Sequence, residues 1–133
     1  MKNISCKFLV FVFFLSLSIS GKDILIEPGP NAHERLQEAM ILINEGDTLI
    51  IESGYYEFED GLSLDVDGVT VVGRGMKETI LDFKNQQSGA QGFLVTSNGV
   101  TLKDFSILDA KGDALKAVSY THLRAHETSS NLV

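Results

Sequence analysis

Several groups of polar side chains in this 133-residue chain have types and spacings that could do chemistry. Asp109, Lys111 and Asp113 alternate along one short stretch; carboxylates set this way can hold a divalent cation while an amine removes a proton next to a substrate carboxylate. The same alternation beside Gly112 also writes a solvated turn between strands, and that is the preferred reading. Lys103 and Asp104 form a second acid and base pair, but they fall where the pattern below predicts a corner. Asp65 and Asp67, in Leu-Asp-Val-Asp-Gly, make half of a calcium loop. An EF-hand loop needs another oxygen ligand before its glycine and a glutamate at its twelfth position, which counted from Asp65 is Met76. These two aspartates are therefore read as shaping the turn at Gly68.

Other candidates are weaker. Tyr55 or Tyr56 could stack on a sugar ring, although adjacent residues of a strand point to opposite faces, so one ring is expected inside and the other outside. Gly73-Arg74-Gly75 lacks the last glycine and the following helix of a nucleotide loop and reads as a turn that ends a strand. His33 belongs to a first helical turn and is expected to face solvent. His122 and His126 have the H-x-x-x-H spacing of a zinc pair, but they lie in a tail that is set aside below. These patterns assign no catalytic, cofactor-binding or metal-binding residue.

Both ends are set aside before the fold is read. Residues 1–20 carry Lys2 and Lys7, an apolar run from Phe8 to Leu15 and then small Ser18 and Ser20, the layout of a secretory signal peptide cleaved after Ser20. The run is too short for a transmembrane helix. Cys6, the single cysteine, would leave with it, so the mature chain has neither disulfide nor thiolate metal site. At the other end, Val118 to Thr128 read VSYTHLRAHET, which looks like the conceptual translation of a sequencing-library adaptor. Residues 117–133 are accordingly expected to be adaptor or vector read-through, not native protein.

Residues 21–116 carry seventeen acidic and eight basic side chains. That balance argues against a phosphate backbone as partner, because nucleic-acid binding needs clustered cations. It suits a neutral glycan, calcium or solubility alone. With the leader removed, no membrane partner is expected, the place of action is secreted or periplasmic, and nothing fixes an oligomeric state.

A strand over Lys22 to Glu27 is stopped by Pro28-Gly29-Pro30. Asn31 is expected to cap a helix, with Glu34 bonding back, and Leu36, Ala39, Met40 and Ile43 supply its apolar face. Glu45-Gly46 is expected to end it. The texture then changes to short β-branched runs: Thr48 to Glu52, Tyr55 to Phe58, Leu62 to Leu64, Val69 to Val72 and Thr79 to Phe83, with Lys84 to Gly92 an aperiodic loop. Gly68-Val69-Thr70 recurs as Gly99-Val100-Thr101, an offset of 31 residues that suits stacked repeats. Val100 and Leu102 alternate on one parity and Phe105 and Ile107 on the other, so a corner is expected at Lys103-Asp104. Repeats of this kind bury their apolar residues against their neighbours and need a cap, for which the amphipathic helix is the candidate.

The helix followed by GDTLIIESGYYEF, LSLDVDGVTVVGRGMKETILDF and GFLVTSNGVTLKDFSILDAKGDALK resembles the N-terminal part of bacterial parallel β-helix repeat proteins of the pectate-lyase-like superfold. The resemblance implies an all-β, right-handed parallel β-helix, first coils only, with an N-terminal amphipathic capping helix. It implies an exported protein that binds or degrades polysaccharide, as a lyase, esterase or hydrolase, with calcium the cofactor to consider in the full-length protein. The alternative is a non-catalytic structural or binding β-helix module of the periplasm or cell surface. Catalytic residues of such proteins usually lie on middle coils, which this chain does not reach, so the resemblance carries no catalytic residue to any position here.

Overall fold

The computed structural model describes residues 20–118 and the backbone of His122–Arg124. Residues 1–19, and with them nearly all of the expected leader, lie outside the described residues, as do most of 117–133 and His126. The chain opens with strand β1 (Asp23–Ile26) and helix α1 (Ala32–Leu42). Leu36, Ala39 and Met40 are buried on one helix face, as the periodicity predicts, joined by Ala32 one turn earlier, while Ile43 is buried just past the helix end.

Both helix ends differ from expectation. Asn31 is left-handed (φ 58°, ψ 24°) and makes no side-chain cap bond, whereas a capping residue needs extended backbone to aim its side chain at the first free amides. The backbone does the work instead: Ala32 N–H donates to Gly29 O at 3.2 Å and Arg35 N–H to Asn31 O at 3.0 Å. At the other end the helix stops at Leu42, because Ile43 is already extended, and Gly46 (φ 88°) serves the turn that follows. Asp47 ties that turn together, its carboxylate accepting from Lys22 N–H at 2.8 Å and from Asn44 N–H at 3.0 Å.

Ten more strands follow, all paired in parallel: β2 (Thr48–Ile51), β3 (Gly54–Glu57), β4 (Leu62–Leu64), β5 (Thr70–Val72), β6 (Thr79–Asp82), β7 (Gln91–Val95), β8 (Thr101–Lys103), β9 (Ser106–Leu108), β10 (Asp113–Ala117) and β11 (His122–Arg124). They form three sheets. Sheet A has the order β1-β2-β5-β8-β11, sheet B β3-β6-β9, and sheet C β10-β7-β4. The chain thus visits A, B and C in turn and repeats the tour. Thr48 pairs with Thr70 and Thr70 with Thr101, so the Gly-Val-Thr repeat is a true register match between successive passes through sheet A. Its long offset comes from the expected loop, which runs between β6 and β7 but gives Gln91 and Gly92 to the strand. The backbone of β11 pairs with β8, His122 beside Thr101.

One buried cluster draws residues from all three sheets and the helix. Leu49, Val71 and Leu102 align across sheet A, and Tyr56, Leu81 and Ile107 across sheet B, all 2% exposed or less. The corner is where the parity change places it: Val100, Leu102, Phe105 and Ile107 are all buried, and between them Asp104 takes the left-handed conformation (φ 63°) that Asp tolerates better than most residues. Phe58 and Phe83, which follow β3 and β6, stack with ring centres 4.7 Å apart. Helix α1 packs against β1, β3 and β4, the first strand of each sheet. The Gln37 amide adds what a neighbouring strand would supply to the edge of β4, donating to Ser63 O at 3.1 Å and accepting from Ser63 N–H at 3.0 Å. The helix thus occupies the open edge of β4.

Candidate functional site

The outer face of sheet B collects the side chains best suited to meet a ligand. Along β3 the strand alternation sends Tyr56 inward, 1% exposed, and Tyr55 and Glu57 outward, as the adjacent-tyrosine argument predicts. The Tyr56 hydroxyl donates to Glu52 O at 2.9 Å, and burial, with the Glu52 carboxylate next in importance, pushes its pKa up to about 12. Tyr55 stays 48% exposed.

Register then adds the polar groups. Glu57 pairs with Asp82 of β6, which sets two carboxylates side by side on neighbouring strands, an unfavourable arrangement unless a cation joins them. Lys84, two residues beyond Asp82, supplies it: its Nζ lies 3.4 Å from Glu57 Oε1, 3.7 Å from Asp82 Oδ2 and 5.5 Å from the centre of the Tyr55 ring. Asp82 is only 2% exposed and fully used, accepting from Lys84 N–H at 2.8 Å and from the Tyr55 hydroxyl. Glu57, by hydrogen bond and by charge, and then Asp82 hold the Lys84 ammonium above the usual lysine pKa. Beside this cluster a cleft of about 300 Å³ runs between sheet B and the start of α1, lined by Asn31, His33, Tyr55 and Glu57 among others. The sequence places His33 toward solvent; in the structure it is half-buried, its ring edge-on to the Phe58 ring at 5.3 Å.

The other candidates stay apart from this cluster. Asp65 and Asp67 serve the turn at Gly68, and each reaches the equivalent turn of the next pass: Asp65 Oδ1 accepts from Thr96 Oγ1 and Asp67 Oδ1 from Asn98 N–H, both at 2.7 Å. One oxygen of each carboxylate is thus engaged in the turns, and among the described residues no three His, Cys, Asp or Glu side chains gather at metal-binding range. Asp109 (φ 53°), Lys111 and Asp113 are exposed around Gly112 (φ 85°), the geometry of a turn. Lys103 and Asp104 sit at the corner. In Gly73-Arg74-Gly75, Arg74 Nε donates to Glu52 Oε1 at 3.0 Å. Gly73 is needed for close approach, since a Cβ there would lie 2.2 Å from Asp104 O. For His122 only the backbone is described.

Three residues that matter here are not among the candidates the sequence offers. In the sequence Asp82 is one residue of an expected strand, and Lys84 and Gln86 belong to the expected aperiodic loop. Gln86 is 2% exposed and holds that loop, its amide donating to Ser88 O at 2.8 Å and Gln91 O at 2.9 Å while its oxygen accepts from Lys111 N–H at 3.3 Å. The available signal was the alternation of Ile80 and Asp82 outward along β6, which places a carboxylate beside whatever β3 presents.

Compared with protein-family models, with curated proteins and with solved structures, the chain matches none.

Proposed function

We propose that this chain is part of an exported, right-handed parallel β-helix protein that binds polysaccharide across the outer face of sheet B. The observation that carries the reading is Tyr55: a half-exposed aromatic ring whose hydroxyl is anchored on buried Asp82 and over which Lys84 Nζ lies 5.5 Å from the ring centre. A ring held in place offers the apolar face of a sugar a platform with little ordering cost, and Glu57 and Lys84 beside it can accept from and donate to sugar hydroxyls. Parallel sheets toured in repeated order give such a face the extended form that suits a polymer.

Binding is favoured over catalysis at this position. A lyase would need a cationic side chain able to lose its proton near neutral pH, and Lys84 is shifted the opposite way by its two carboxylates. A second reading, a structural module, draws on the outward polar groups that already pair between successive passes, such as Arg74 with Glu52 and Asp65 with Thr96. Retention of the full chain on a panel of insoluble polysaccharides separates the two. Polysaccharide binding predicts retention on at least one of them, weakened at least tenfold in Tyr55→Ala with circular dichroism unchanged. Equal retention of Tyr55→Ala, or none by the parent chain, favours the structural module.

A further inference from the structure

We infer that the saccharide recognised at the Tyr55 face is an uncharged pyranose polymer and not a polyuronate, an inference that rests on the carbohydrate reading above. The charges decide it. The cluster holds two carboxylates, Glu57 and Asp82, against one ammonium, and that ammonium lies within 3.4 Å of one carboxylate and 3.7 Å of the other. A uronate entering beside Tyr55 would have to compete with Glu57 for the Lys84 ammonium, and the displaced carboxylate would remain within the same small site. The long-range field has the same sign, with seventeen acidic and eight basic side chains over residues 21–116, so an anionic polymer is slowed in its approach as well.

A polycation is disfavoured for a local reason. Lys84 Nζ already occupies the position, 5.5 Å from the Tyr55 ring centre, where a second cation would profit from the ring and the carboxylates. An uncharged sugar meets none of these costs. It can stack on the exposed part of the ring beside Lys84 and use the cleft of about 300 Å³ toward Asn31 and His33.

The test is isothermal titration of the full chain with three soluble probes: a neutral gluco-oligosaccharide or xylo-oligosaccharide, oligogalacturonate, and a chitosan oligomer. The neutral probe is expected to bind, with an affinity that changes less than twofold between about 0.1 M and about 1 M salt, since Debye screening acts on charges, and that falls at least tenfold in Tyr55→Ala. Oligogalacturonate is expected to show no binding to the parent chain and to gain it in Glu57→Lys, which reverses the local charge. Binding of oligogalacturonate or chitosan to the parent chain, lost in Tyr55→Ala, would overturn the charge inference and leave the carbohydrate reading standing. Failure of all three probes with the parent chain, together with no gain in Glu57→Lys, would remove both.

Discussion

The two described turns that return the chain from sheet C to sheet A, after β4 and β7, are near copies of one another, whereas those that carry it from sheet B to sheet C differ in length and in what holds them. On the first side Gly68 and Gly99 share one left-handed conformation (φ 67° and 66°), Val69 and Val100 are both fully buried, and Gly68 N–H donates to Asn98 O at 2.9 Å. The turn after α1 joins this stack, with Gly46 N–H donating to Gly68 O at 3.2 Å and Thr70 N–H to Asp47 O at 3.1 Å. On the second side the short links after β3 and β9 flank a longer one, residues 83–90, stabilised by its own buried Gln86. Equal lengths let side chains stack and hide their polar atoms in one another. Unequal length frees a side chain, Lys84, to fold back over sheet B and build the Tyr55 cluster.

That contrast can be broken most severely at Phe83, fully buried and stacked on Phe58 where the longer turn leaves β6. Phe83→Ala is expected to cost about 3–5 kcal/mol in urea unfolding of the full chain, for lost transfer energy plus the cavity left behind. Gln86→Leu comes next. It removes the donors to the Ser88 and Gln91 carbonyls, at about 1 kcal/mol for each of these part-buried bonds, and amide hydrogen exchange should quicken through residues 84–90 while the turn at Gly68 is unaffected.

On the regular side the sharper probe is pH. The Asp47 carboxyl lies below the usual aspartate range because Lys22 N–H, first, and Asn44 N–H donate to it. A lowered folded pKa means stability that is complete above the unfolded value of about 3.9 and lost as pH falls through the folded one. Asp47→Asn should therefore flatten the acid limb of the stability profile. The smallest effect is expected from Asp67→Ala, about 0.5–1 kcal/mol for an exposed bond to Asn98 N–H; a loss as large as that of Gln86→Leu would contradict the distinction between the two sides.

The regular side is also the legible one. Gly-Val-Thr at a 31-residue offset, the parity change at Lys103-Asp104 and the split of Tyr55 from Tyr56 all follow from local pattern, and each corresponds to a register pair, a corner or a buried side chain in the structure. The Asn31 cap was not legible, because Pro28-Gly29-Pro30 feeds the helix from a left-handed residue and a backbone turn can replace a side-chain cap. The Tyr55 cluster was hidden for another reason: Glu57 and Asp82 become neighbours only through the pairing of β3 with β6, and no reading of either strand alone supplies that register. Gln86 looked solvated because polar loops usually are.

The most direct test of the central claim is NMR shift mapping of the full chain titrated with a neutral oligosaccharide. Concentration-dependent shifts confined to Tyr55, Glu57, Lys84 and His33 are the predicted result; shifts centred on another face, with these four unmoved, would contradict it.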